Sequence, residues 1–138
     1  MFLGESGTGK STHTRLWKEN IEGATLLNDD SPFLRIVEGK AIVYGSPWSG
    51  KHGLDSNVRV PLKGICILER GTENKIQAIC GEDALPMLRK QAYMPLDNGK
   101  LPRFLALTQM LSEATPLWRM ACTKNPDAAR IAYETMNK

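Results

Sequence analysis

The feature that most constrains this chain lies near its start, where residues 4–11 read Gly-Glu-Ser-Gly-Thr-Gly-Lys-Ser. These residues match the pattern G-x-x-x-x-G-K-[ST] at every defined position, with apolar residues before them and a helical pattern after them. In such a loop the glycines let successive backbone N–H groups converge on one anion, and the positive end of the following helix strengthens their field. The pattern predicts a loop that binds the phosphates of a nucleoside triphosphate, which we expect to be ATP with Mg²⁺.

Two side chains of this loop have individual roles in the prediction. Lys10 supplies a mobile positive charge for the β and γ phosphates and is a candidate catalytic residue, and the Ser11 hydroxyl is placed to ligate Mg²⁺. The alternative is a glycine-rich turn that matches the pattern by chance. The residues expected to bind the nucleotide are Gly4, Glu5, Ser6, Gly7, Thr8, Gly9, Lys10, Ser11 and Thr12.

The rest of the chain contains both strand and helix patterns. A helix is predicted from Ser11 to about Asn20, and a short buried strand from Ala24 to Asn28. Two β-rich runs on either side of Glu38-Gly39-Lys40 predict a hairpin. The other predicted strands are Val58–Glu69 (interrupted by Pro61), Lys75–Ile79 and Pro116–Thr123, and the other predicted helices are Asp83–Tyr93, Leu101–Ala114 and Pro126–Met136. We therefore expect an α/β fold with a central mixed sheet and flanking helices.

Length and composition favour a single domain over residues 1–138, with no nucleic-acid footprint. The formal charge is +3, from 18 basic and 15 acidic residues spread along the chain. No apolar run approaches the roughly 20 residues that a membrane helix needs. The three cysteines lack the spacing of a metal site or a disulfide framework, and Cys66 lies in an apolar run as a core residue would. We expect a cytoplasmic protein that binds neither nucleic acid nor membrane.

The segment before the phosphate-binding loop is short. A buried strand of about five residues normally precedes such a loop, but only Met1, Phe2 and Leu3 precede it here. We therefore expect the domain to be truncated at its N-terminus.

A pair of carboxylates follows the predicted strand Ala24–Asn28. After a helix of about ten residues the chain can return in a parallel strand whose carboxyl end lies beside the loop. Asp29 and Asp30 would then reach the γ phosphate, as Mg²⁺ ligand and as general base, and both are candidate catalytic and metal-binding residues. Which of the two has which role stays open. The alternative is that they only form a polar turn before Pro32.

A long loop from Gly45 to Asn57 carries two further basic residues. Lys51 and His52 could approach the γ phosphate if this loop folds over the nucleotide. The alternative is that both are solvated. The same two alternatives apply to Arg59, Arg70 and Arg103. We interpret His13 as a residue on the surface of the first helix.

The two leading motifs resemble those of the HPr kinase and phosphoenolpyruvate carboxykinase superfamily. Gly-Glu-Ser-Gly-Thr-Gly-Lys-Ser-Thr is similar to its first kinase motif, and Leu26-Leu27-Asn28-Asp29-Asp30 to its second. Two weaker segments, residues 44–48 and 60–65, also resemble small bacterial HPr-kinase-like proteins. The resemblance implies a carboxykinase-like fold with Lys10 on the phosphates, Ser11 on the metal, and the two aspartates as metal ligand and base. It also implies an ATP-dependent kinase acting on a serine of a protein or peptide.

This chain departs from the family pattern at two points. The histidine that precedes the loop in HPr kinases is missing, and so is a metal-binding glutamate near Asp55 and Asn57. Two other functions therefore stay open, a nucleotide-binding regulator without transferase activity and a small-metabolite kinase. The sequence does not determine the oligomeric state.

Overall fold

The computed structural model describes residues 1–27, 32–45 and 59–138. These residues form both strands and helices, as an α/β fold requires. The strands are β1 (Phe2–Leu3), β2 (Phe33–Val37), β3 (Lys40–Tyr44), β4 (Arg59–Pro61), β5 (Ile65–Arg70), β6 (Lys75–Ala78) and β7 (Leu117–Cys122). The helices are α1 (Lys10–Asn20), α2 (Gly81–Gln91), α3 (Leu101–Ala114) and α4 (Asp127–Met136), with a short 3-10 turn at Asn98–Lys100.

The larger sheet has the strand order β1-β5-β7-β6. The first three strands are parallel, and β6 is antiparallel to β7, so the sheet is mixed as expected. Met1, which precedes β1, also bonds to the segment around β5. Its N donates to Gly64 O at 2.8 Å, and its O accepts from Cys66 N at 2.9 Å. The carboxyl ends of β1, β5 and β7 therefore lie side by side along one edge.

Two apolar clusters cover the two faces of this sheet. Cys66 and Leu68 of β5 belong to a cluster with α1 and α4, whereas Ile65 and Ile67 belong to a cluster with α2. This alternation follows from the two-residue repeat of a strand, whose successive side chains point to opposite faces. Helices therefore pack on both faces, and they fix the directions in which the loops at the edge of the sheet leave it.

The smaller sheet is antiparallel, with the order β2-β3-β4. It contains the predicted hairpin, in which Phe33 pairs with Tyr44. The prediction of one interrupted strand over Val58–Glu69 was wrong, because the chain forms two strands in different sheets. Pro61 ends β4 opposite Ile42, where a residue without an N–H is tolerated at a sheet edge.

The prediction of a strand over Ala24–Asn28 was also wrong for its described part. Residues 24–27 form no strand, and Thr25 is exposed. The N–H of Ala24 donates to Ile21 O at 3.1 Å, which closes a turn around Gly23 with φ +77°. A backbone N–H used in that turn cannot also join a sheet ladder. Asn28 lies outside the described residues.

None of the helices in the described ranges is both long and apolar enough to cross a membrane.

Candidate phosphate-binding site

The loop between β1 and α1 has the strand–loop–helix context that the sequence pattern requires. Two of its glycines adopt backbone angles that side chains disfavour, Gly7 at φ +83° and Gly9 at φ +94°. Within the loop, Thr8 donates to Glu5 O from its N at 3.2 Å and from its hydroxyl at 2.8 Å. These two bonds fix a compact turn at the loop centre.

Gly4 lets the loop pass close to the neighbouring strand. A Cβ at this position would lie 2.6 Å from Thr8 Oγ1 and 3.0 Å from the backbone oxygen of Leu68 on β5. The first distance is shorter than real Cβ contacts, and the second is a tight contact with the backbone of a buried strand. The first glycine of the pattern is therefore required by packing and not by its dihedral angles.

The first turn of α1 presents backbone donors without a side-chain cap. Gly9 is the N-cap and makes no side-chain hydrogen bond, and the first turn contains no acidic residue. The first hydrogen bond within the helix runs from His13 N to Gly9 O at 2.9 Å. The N–H groups of Lys10, Ser11 and Thr12 come before it and therefore have no acceptor within the helix. Uncapped N–H groups and the helix dipole together favour an anion at this point.

The side chain of Lys10 folds back over the start of the loop. Its Nζ donates to Gly4 O at 2.6 Å and to Glu5 O at 3.3 Å. Within the described ranges no carboxylate lies at ion-pair distance from this ammonium group. Its charge is therefore held at the loop by neutral oxygens and is available to an incoming anion.

Two clefts adjoin this loop, and Gly7, Thr8 and Arg70 line both of them. The α2 cleft has a volume of about 510 Å³ and is lined by Glu5, Ser6, Gly7, Thr8, Leu68, Glu69, Arg70 and Met87. The α1 cleft has a volume of about 310 Å³ and is lined by Gly7, Thr8, Gly9, Thr12, His13, Arg70, Gly71, Cys122, Thr123 and Lys124. Arg70, at the carboxyl end of β5, therefore borders both clefts. The sequence left the role of Arg70 open, and the structure places it exposed and beside the loop.

The two carboxylates of the α2 cleft are both paired with cations. Lys90 of α2 lies 2.5 Å from the carboxylate of Glu5, and Arg119 lies 3.3 Å from that of Glu69. The hydrogen bond and positive charge of Lys90 lower the pKa of Glu5. The Lys90–Glu5 pair joins α2 to the loop between β1 and α1.

The interpretation of His13 as a surface residue was wrong. Its side chain is 1% exposed, and its ring lies edge-on to Phe2 with centroids 4.7 Å apart. Burial lowers the pKa of His13 to about 4. The sequence contained a signal for this burial, because His13, Leu16 and Trp17 share one helix face at spacings of three and four.

All three cysteines are free. Cys66 is fully buried, as expected of a core residue, and burial raises the pKa of its thiol to about 12. A thiol with this pKa is protonated at neutral pH and is not a nucleophile.

The other predicted site residues, Asp29, Asp30, Lys51 and His52, lie outside the described residues. Their approach to the loop stays a prediction. Of the predicted metal ligands, only Ser11 is described, and it is exposed in the first turn of α1. Over residues 1–27, 32–45 and 59–138, no three His, Cys, Asp or Glu side chains gather as a metal site would require.

Comparison of this chain with protein-family models, with curated proteins and with solved structures gave no match. What the protein does therefore has to follow from its own residues.

Proposed function

We propose that this protein is an ATP- and Mg²⁺-dependent kinase that transfers the γ-phosphoryl group to a hydroxyl, in the first instance a serine of a protein or peptide. One observation carries the proposal. The full G-x-x-x-x-G-K-[ST] pattern, a Walker A motif, connects a strand of a parallel pair to a helix whose first turn is uncapped. Lys10 lies at the same loop without a carboxylate partner among the described residues.

The loop residues would hold the phosphates and limit their motion. The backbone N–H groups of Gly7 and of Gly9 to Thr12 would bind phosphate oxygens, whereas that of Thr8 donates to Glu5 O. Lys10 would exchange its two carbonyl contacts for the β and γ phosphates. Ser11 would hold Mg²⁺, which supplies charge neutralisation on the phosphate oxygens when bound. Catalysis of this kind depends on position and electrostatics more than on covalent chemistry.

Asp29 and Asp30 would complete the reaction centre, one on the metal and one as general base. The acceptor hydroxyl gives its proton to the carboxylate, and its oxygen bonds to the γ phosphorus. The bond from that phosphorus to the β–γ bridging oxygen breaks, and the products are ADP and a phosphate ester. General base catalysis of this type contributes about 10²–10⁴-fold to rate.

The choice of acceptor and the finer fold rest on the sequence resemblance. The motifs around Lys10 and Asp29 resemble those of HPr kinases and phosphoenolpyruvate carboxykinases, which favours a seryl acceptor and a carboxykinase-like fold. The mixed sheet with helices on both faces is compatible with that fold. A cytoplasmic location fits both the use of ATP and three cysteines that are free.

A transfer assay with matched variants tests this proposal. The parent protein, Asp29→Asn, Asp30→Asn and the control Asp97→Asn are incubated with MgATP and either serine peptides or small hydroxyl metabolites, and ADP and phosphoester are measured. Gly99 N donates to the side-chain oxygen of Asp97 at 2.8 Å, and the amide oxygen of the Asp97→Asn variant can accept the same bond. This control should therefore fold and act as the parent does. We expect both active-site variants to fold and to lose at least about 100-fold in rate.

The same assay separates the competing functions. Parent rates in both aspartate variants would rule out the general-base role. Tight ATP binding without loss of the γ phosphate, with every acceptor, would indicate a regulator. Transfer to a metabolite but not to peptides would indicate a small-metabolite kinase.

A further inference from the structure

We infer that the α1 cleft holds the nucleoside half of the bound nucleotide and that Lys124 contacts it there, an inference that rests on the proposed function. The phosphates would lie on the loop between β1 and α1. The base and ribose would extend from them across the end of β5 to the loop after β7.

The strand order brings the required residues together. β5 lies next to β1 and β7 lies next to β5, all parallel, so their carboxyl ends succeed one another along one edge. Ligands of open α/β sheets bind outside this edge. A ligand anchored at Gly7 and Gly9 therefore meets Arg70 next and Lys124 after it. The cleft volume of about 310 Å³ falls at the lower end of small-molecule sites.

Charge distinguishes the α1 cleft from the α2 cleft. The α2 cleft has two carboxylates in its lining, Glu5 and Glu69. The described lining of the α1 cleft contains two cations, Arg70 and Lys124, and no carboxylate. Arg70 borders both clefts and the two carboxylates of the α2 cleft are ion-paired, so the cation that distinguishes the α1 cleft is Lys124. Its ammonium group can donate hydrogen bonds to the hydroxyl oxygens or ring nitrogens of a nucleoside, so the nucleotide should extend toward α1.

His13, which lines the α1 cleft, has an unused hydrogen-bond donor. The indole N–H of Trp17 donates to His13 Nε2 at 3.0 Å, so that nitrogen carries a lone pair and Nδ1 carries the hydrogen. Nδ1 is buried and has no hydrogen-bond partner among residues 1–27, 32–45 and 59–138. A buried donor left unpaired is unfavourable, and a ligand with oxygen or nitrogen acceptors could satisfy it.

The loop that carries Lys124 is fixed in advance by hydrogen bonds. Asn74 Oδ1 accepts from Thr123 N at 2.8 Å and from Thr123 Oγ1 at 3.2 Å, and Asn125 N donates to Thr123 Oγ1 at 3.2 Å. The backbone on both sides of Lys124 therefore needs little ordering when a ligand binds, which favours affinity.

Calorimetric titration with MgATP and with magnesium triphosphate, which lacks the nucleoside, tests the inference. We expect the parent protein to bind ATP at least tenfold more tightly than triphosphate. Lys124→Ala and Lys124→Met should reduce that ratio at least threefold and change triphosphate affinity less than twofold. Lys100→Ala is the control, because Lys100 is an exposed lysine that lines neither cleft.

A photoprobe with an azide on the adenine ring gives a second, independent readout. Mass spectrometry should locate the label on the loop after β7 or on the first turn of α1. Label on Met87 of α2 would overturn the inference, as would equal affinity for ATP and triphosphate or an unchanged ratio in both Lys124 variants. Failure of the proposed function gives a different result, in which the transfer assay forms no phosphoester, or in which neither ligand binds or binding does not depend on Lys10.

Discussion

His13 shows how packing controls the chemistry of a single residue beside the phosphate-binding loop. Its ring is enclosed by Phe2 and Trp17, and the buried site favours the neutral imidazole. Because the pKa falls from 6.5 in the unfolded chain to about 4 in the folded protein, the unfolded state binds more protons between these values. The free energy of unfolding therefore decreases as pH falls from about 6.5 to 4, by on the order of 2–3 kcal/mol from this group.

We expect NMR titration to give a pKa near 4 for His13. The sequence contains two histidines, so His52→Gln leaves His13 as the only one to titrate. His13→Gln keeps an acceptor for the Trp17 indole but does not titrate, and its stability should change less between pH 6.5 and 4. A measured pKa near 6.5 would contradict the burial of this ring.

For single residues, the sequence predicts a role where that role belongs to a local motif. It does not predict a role that depends on neighbours in the tertiary structure. The glycines, Lys10 and Ser11 were proposed as site residues because the pattern that contains them spans only eight consecutive residues. Arg70 and Lys124 were not, because their position depends on which strand ends adjoin the loop. Strand order is a long-range property that no local spacing encodes.

Among the elements, β5 is the most constrained, because it is buried on both faces and paired on both edges. Gly64, which precedes it, is also buried, and an added Cβ would collide with the ring of Trp118 on β7. Ile65 N donates to Pro116 O at 3.0 Å, so the backbone cannot readily move away. The close packing of β5 on β7 depends on this glycine.

We expect Gly64→Ala to lower the free energy of unfolding by about 1–3 kcal/mol, the usual cost of overpacking. Trp118→Leu makes room, so the double variant should lose less stability than the sum of the two single variants. Urea unfolding of the four proteins measures this coupling. Gly99→Ala is the control, because the nearest atoms there belong to the exposed side chain of Asp97. Purely additive losses would show that the glycine and the ring do not interact.

Element prediction succeeded where the pattern is local. The bounds predicted for α3 match those observed, because a long apolar period with a proline in its first turn is visible in sequence. The prediction of a strand near Ala24 was wrong because a short apolar run has no such periodicity. The turn at Gly23 also uses the backbone N–H of Ala24, which a strand would need. The interruption at Pro61 was predicted, but the placement of its two sides in different sheets was not, because sheet membership is decided by distant partners.

At the scale of the whole molecule, the proposed nucleotide site joins segments that are far apart in sequence. Residues 4–12, 70–71 and 122–124 line the loop and the α1 cleft together. Each segment lies at an end of a strand of the larger sheet, so the site exists only when that sheet is assembled. A ligand that needs all three segments binds the folded protein and not the unfolded chain, and it stabilises the fold by mass action.

We therefore expect MgATP at 100 times its dissociation constant to add about 2.7 kcal/mol to the free energy of unfolding. For a chain of 138 residues this corresponds to a rise in Tm of roughly 5–10 °C. Lys10→Ala loses a direct phosphate contact, so its ATP affinity should fall by at least about 1 kcal/mol and its Tm shift should shrink. Lys18→Ala, on the exposed last turn of the same helix, should keep the full shift. Scanning calorimetry with and without nucleotide makes the comparison, and an equal shift in both variants would show that the loop lysine does not hold the phosphates.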